Sequence, residues 1–318
     1  IFFVILNFFF HEFFEKISYL ELLLCFLISY SISFGEIHSS AIRGMGQVKS
    51  SLFPENFIRP VILIFMIFLA LNFYEKSVVL ILLLFFIAQL CSNIAYKIIL
   101  VQIQKSKINN KHIISNKEQV LNRKEVRTFF YFSLMQILMS QFSILLFPLF
   151  SSYSELAIYR ISFAGGFLLT TILIAISSAN VNKFSALYSK GDIKELKILA
   201  NECSSISFVY SLILIVFSCF LAPHILGIVL DESYANSLIP FYIIAFAQIF
   251  NSAFGLSSSV LQMSDYQFCN NISLSFSIII GVIIFFMLIT NYGAIGASIA
   301  YSMSILVYVF CSQAFCKI

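Results

Sequence analysis

Apolar residues gather into long runs separated by short polar breaks along the whole chain. Runs at 61–71, 77–101, 128–150, 156–177, 206–226, 238–261, 272–289 and 294–310 meet or approach the ~20 apolar residues that carry a helix across hydrocarbon. Strands of an outer-membrane barrel would read as ~10-residue segments of alternating polarity, and these runs do not alternate. Lipid admits only helices and closed barrels, because every backbone amide must find its partner inside the protein. The pattern therefore predicts an all-α polytopic membrane protein of about ten transmembrane helices. The one sizeable polar break, 104–127, leaves four apolar blocks before it and six after. We expect two helical bundles: an incomplete N-terminal lobe of four helices over 1–103, a linker over 104–127, and a six-helix C-terminal lobe over 128–318. The first block, 1–14, lacks a basic n-region and a small-residue cleavage site, and reads as the remnant of a helix rather than a signal peptide.

Composition supports this class. With 60% hydrophobic and 11% charged residues, and a mean hydropathy of +0.96, the chain has too little polar surface for a soluble globule. Charge then orients it, since cytoplasmic loops keep an excess of Lys and Arg. The break holds Lys105, Lys107, Lys111, Lys117, Arg123, Lys124 and Arg127 against Glu118 and Glu125. Alternate loops on the same side, 43–59 and 183–197, hold Arg43, Lys49, Arg59, Lys183, Lys190, Lys194 and Lys197. The opposite loops carry Glu75 with Lys76, Glu155, and the acidic pair Asp231 and Glu232. The linker is therefore expected in the cytoplasm, and the even number of helices after it places the C-terminus there too. The seven cysteines form no CxxC pair and stand at no metal-ligand spacing with His, so they read as packing residues; no cofactor or metal is expected.

A faint internal repeat lays Ser39-Ser40-Ala41-Ile42-Arg43 on Ser258-Ser259-Val260-Leu261-Gln262, each closing a helix into a short polar loop. Three further stretches carry a family resemblance. The stretch from Tyr188 through Lys190-Gly191-Asp192 to Leu196 resembles a cytoplasmic "Y-x-K-G-D-x-x-x-L" segment. Tyr292-Gly293-Ala294-Ile295-Gly296-Ala297-Ser298-Ile299-Ala300 resembles the opening of a last helix, and Arg43-Gly44-Met45-Gly46 with Ile58-Arg59-Pro60 is similar to a loop after a fourth helix. Their order and spacing resemble the Wzx-type polysaccharide flippases, in the superfamily that also holds the multidrug and toxin extruders and the lipid II flippases. The resemblance implies a MATE-like fold of twelve or more helices in two bundles, of which this sequence lacks about the first two. Read physically, Lys190-Gly191-Asp192 is a turn signal opening a helix, and the small residues around Gly296 let helices approach closely.

A flippase makes and breaks no bonds; it hides a pyrophosphate and sugars from hydrocarbon, for which a cationic, water-filled cavity suffices. Charges inside a membrane helix cost ~2.5 to 3.5 kcal/mol at its centre, so those retained there are candidates for substrate contact. Arg160 lies one to two turns inside its helix and suits a phosphate, or snorkels to the interface. Glu36 and Arg43 stand seven residues apart with Ser40 between them, so they share one helix face that could line the cavity. Lys183 follows Asn180 and Asn182 and reads as an interface anchor or a gate.

Three functions remain open. The resemblance implies a flippase that moves a polyprenyl-pyrophosphate-linked oligosaccharide, an O-antigen or capsule repeat unit, across the bacterial cytoplasmic membrane by alternating access. Its expected partners are that lipid-linked substrate, the bilayer, and the polymerase and glycosyltransferases of the same pathway, with no nucleic acid. A cation-coupled multidrug antiporter of the same superfamily would show stronger intramembrane carboxylates. A membrane polysaccharide polymerase or glycosyltransferase would call for a large outer loop or a DxD motif, and neither is present.

Overall fold

The computed structural model describes residues 18–73, 77–109, 123–229 and 232–316. The 1–14 run, Glu75, Lys76, Lys111, Lys117, Glu118, Asp231 and Lys317 lie outside the described residues. Every long element is helical, and eight helical segments among the described residues are long and apolar enough to cross a membrane. The chain divides into two compact units, Ile1–Lys117 and Glu118–Ile318.

In the first unit, α1 spans Tyr19–Gly44. It starts at a capping box: Ser18 Oγ accepts from the Glu21 N–H at 3.3 Å and Glu21 Oε2 accepts from the Ser18 N–H at 2.9 Å. Its buried positions, Leu24, Ile28, Ser31, Gly35, Ser39 and Ile42, follow the three- and four-residue steps of a single stripe. That stripe packs on α4, Val78–Asn109. Between them runs a second span built in three pieces: α2, Val48–Phe53, a π-turn, Pro54–Ile58, and α3, Arg59–Phe73. The charged stretch 43–59, expected as a loop, is thus largely helical. Two prolines explain the widened turn, since Pro60 has no N–H for the carbonyl four residues back and its ring would crowd that turn. The π-turn instead lets the Arg59 N–H donate to the Pro54 carbonyl.

The second unit begins with α5, Arg123–Leu146, which ends at the one-turn 3-10 segment containing Pro148. Helix α6, Tyr153–Ser189, is capped by Ser152 and joined to α7, Ile193–Val229, by the turn read from Lys190-Gly191-Asp192. Gly191 has φ 76°, and the N–H groups of Gly191 and Asp192 bond back to the Tyr188 and Leu187 carbonyls at 2.9 and 3.1 Å. This is a Schellman closure. Asp192 Oδ1 then caps α7 by accepting from the Glu195 N–H at 3.4 Å.

A 3-10 turn, Glu232–Ser237, leads into α8, Leu238–Phe254, and α9, Leu256–Gln262. The last element, α10, runs Gln267–Phe315, 49 residues. Straight, it would be about 74 Å long, more than twice the hydrocarbon thickness. It folds back on itself at Gly293, the one residue in it with non-helical dihedrals (φ 48°, ψ −122°), so the runs 272–289 and 294–310 are two crossings in one hairpin. The Tyr308 hydroxyl donates to Asn270 Oδ1 across that hairpin at 3.1 Å. The unit's main core is aromatic: Phe142, Phe147, Tyr159, Phe163, Phe285 and Tyr301 interlock between α5, α6 and α10.

Candidate functional site

Polar and charged side chains of the first unit converge on one side-chain cluster where α1, the π-turn and α4 meet. Gly35 makes room for it. A Cβ at that position would stand 2.6 Å from Asn93 Oδ1 and 3.2 Å from Gln89 Nε2, so only a residue without a side chain lets these two amides lie against α1. Asn93 Nδ2 donates to both the carbonyl and the Oγ of Ser31, each at 2.9 Å, and Gln89 Nε2 donates to Asn93 Oδ1 at 3.4 Å. Gln89 Oε1 in turn accepts from Arg59 Nη1 at 3.1 Å.

Arg59 is thereby held from α4 while its other nitrogen pairs with Glu55 at 3.4 Å across the π-turn. Its guanidinium also sits over the Phe85 ring, 5.9 Å from the centroid. On α1, Arg43 pairs with Glu36 at 3.5 Å and donates to Ser40 Oγ at 3.5 Å. The carboxyl groups of Glu36 and Glu55 adjoin one another, which links the two pairs into a four-membered charge cluster with no net charge. Ser39 donates to the Ser51 carbonyl at 3.1 Å, and the Tyr96 and Ser92 hydroxyls are buried with no hydrogen-bond partner among the described residues.

The two ion pairs differ in access. The Arg59 and Glu55 side chains are 23% and 29% exposed, while Arg43 and Glu36 are 32% and 51% exposed. The Arg43–Glu36 pair is thus the more exposed of the two. Charges within a span are costly to retain, and pairing each with an opposite charge lowers that cost.

Of the residues expected from sequence, the structure brings Glu36, Ser40 and Arg43 together here. Arg160 and Lys183 lie in the second unit, both exposed on α6. They are 23 residues apart on that helix, about 35 Å at the α-helical rise, so they cannot hold the same phosphate. The sequence reading missed Glu55, Arg59, Gln89 and Asn93. Gln89 and Asn93 did carry a signal: two amides one turn apart inside the apolar run 77–101 share a helix face and need partners. Among the described residues, no group of three or more His, Cys, Asp or Glu side chains is placed to hold a metal ion.

No protein-family model and no curated protein matches the chain. Solved structures do match its fold. A multidrug resistance MATE family transporter of the MOP superfamily, in an outward-facing conformation, superposes with a TM-score of 0.69 at 14% identity, covering 91% of this chain and 66% of that one. A MATE protein in complex with MaL6 gives a TM-score of 0.72 at 13% identity, with 96% and 72% covered. The fold is MATE-like. This chain spans about two thirds of the length of these MATE structures, and with eight helical segments among the described residues long and apolar enough to cross a membrane it is a multi-pass membrane protein.

Proposed function

We propose that this MATE-like chain is a membrane transporter that flips a polyprenyl-pyrophosphate-linked oligosaccharide across the bacterial cytoplasmic membrane by alternating access, and that it makes or breaks no covalent bond. The observation that carries the reading is the accessible Arg43–Glu36 pair in the first unit. A phosphate binds a guanidinium with the same fork geometry as a carboxylate, so an incoming pyrophosphate can take the place of Glu36 on Arg43 while Ser40 keeps the guanidinium in position. Arg59, held by Gln89 and paired with Glu55, stays in place as Glu36 is displaced, so the cluster then carries one net positive charge toward the phosphate. The family resemblance of the Lys190-Gly191-Asp192 and Tyr292–Ala300 stretches supports the same substrate class. In this reading Arg160 and Lys183 meet the substrate at different stages of its passage.

Complementation tests it. The complete gene that encodes this chain is expressed in cells lacking their polysaccharide flippase, and surface glycan is measured. Recovery that is lost in Arg43→Ala and retained in part in Arg43→Lys supports the reading; recovery unaffected by Arg43→Ala removes Arg43 from the substrate path.

A second reading, a cation-coupled multidrug antiporter, draws on a different observation: the adjoining carboxyls of Glu36 and Glu55. Two acidic groups in one membrane site suit exchange of a proton or metal cation against a cationic substrate. Drug resistance conferred on an efflux-deficient strain, abolished by Glu36→Gln and Glu55→Gln and without glycan export, would favour it.

A further inference from the structure

The second unit contains a cavity of about 440 Å³ bounded by α7, α8, α9 and the end of α10, lined by none of the residues of the Arg43–Glu36 cluster. Its α7 wall changes character with depth. Lys197, Asn201 and Ser204 stand at steps of four and three residues, hence on one helix face, and Phe208 follows one turn further on. None of the side-chain donors of Lys197, Asn201 and Ser204 bonds a described residue, and no carboxylate pairs with Lys197 among the described residues. Opposite them, Gln313 Oε1 is already occupied by the Ser257 hydroxyl, and Phe254 continues the apolar floor. The thiol of Cys316, also in the lining, is pushed up by burial, so it stays neutral and does not compete for the lysine.

We infer that this cavity binds a membrane phospholipid with an anionic headgroup, its phosphate on Lys197, its ester carbonyls on Asn201 and Ser204, and an acyl chain against Phe208 and Phe254. The spacing fits. Lys197 to Asn201 spans about 6 Å along the helix, within the ~5 to 7.5 Å depth of the headgroup region of one leaflet, and Ser204 and Phe208 follow about 5 and 11 Å deeper. Three unpaired donors in a row match a ligand that offers only acceptors at those depths. The lysine adds the charge complementarity that separates an anionic from a zwitterionic lipid. This site is independent of what the protein transports.

The test uses the purified full chain in detergent and reads bound lipid by native mass spectrometry, with phosphatidylglycerol and phosphatidylcholine added in competition. Phosphatidylglycerol should be retained preferentially. Lys197→Gln should cut its retention about fivefold and Lys197→Arg should restore it. Ser204→Leu should weaken both lipids. Equal retention of the two lipids by the unaltered protein, or unchanged phosphatidylglycerol retention in a folded Lys197→Gln, overturns the inference. Displacement of the lipid by millimolar inorganic phosphate overturns it too, because that would mark a site for free phosphate.

Discussion

Gly35 is where one atom decides whether the polar cluster forms. An alanine there places Cβ 2.6 Å from Asn93 Oδ1, inside any tolerable contact, and the Asn93 amide has to swing away from Ser31 and Gln89. Because Gln89 is what holds Arg59 from α4, the disturbance passes to the charged residues. Gly35→Ala should therefore reduce transport several-fold while lowering stability by only ~1 to 3 kcal/mol, read by comparing transport in cells with thermal unfolding in detergent. Normal transport in Gly35→Ala would mean that the cluster only packs α1 on α4. Arg59 is the harsher case. Its removal leaves Glu55 half-buried without its cation and Gln89 Oε1 without its donor, so Arg59→Ala should destabilise the protein by ~3 to 5 kcal/mol, more than Arg43→Ala, whose partner Glu36 is half exposed and can be solvated.

Helix hairpins show how much of the fold was legible in the sequence. Hydropathy located the membrane-spanning runs because each needs a long apolar stretch, and it separated 272–289 from 294–310 although the chain passes between them with no loop. The device that allows this is the backbone of Gly293, with φ 48°, and its partner is remote: Glu155 Oε2 accepts from the Ala294 N–H at 2.9 Å, capping the returning helix from 139 residues away. No local pattern shows that bond. The same limit hid the π-turn, since Pro54, Glu55, Arg59 and Pro60 read locally as a loop, and only the Arg59–Gln89 bond, 30 residues apart, reveals why they stay helical in the membrane. The site was thus legible where its residues share one helix, as Glu36, Ser40 and Arg43 do, and not where α4 completes it. A side chain at position 293 meets strain from the positive φ and would also stand 2.6 Å from the capping carboxylate. Gly293→Ala should cost ~1 to 3 kcal/mol, measured by unfolding, with Glu155→Gln milder because its amide oxygen can still accept the Ala294 N–H.

At the scale of the whole chain, the fixed ends of the second unit turn the charge pattern into a testable topology. Glu155, at the start of α6, touches the hairpin tip at Gly293, so Tyr292 lies at the same end of the unit as Tyr153. Lys190 lies at the other end of α6, and the cavity that contains Lys197 also contains Gln313, so the last residues of α10 share that end. The excess of basic residues there, Lys183, Lys190, Lys194 and Lys197, predicts that this end faces the cytoplasm. With the seven native cysteines replaced by serine, single cysteines are placed at the exposed positions Lys190 and Tyr292 and challenged with a membrane-impermeant maleimide. Tyr292→Cys should react in intact cells and Lys190→Cys only after the membrane is opened. Labelling of both from one side would deny that α6 crosses the bilayer. The reverse pattern would keep the fold but invert the second unit in the membrane, placing the anionic-lipid cavity in the outer leaflet.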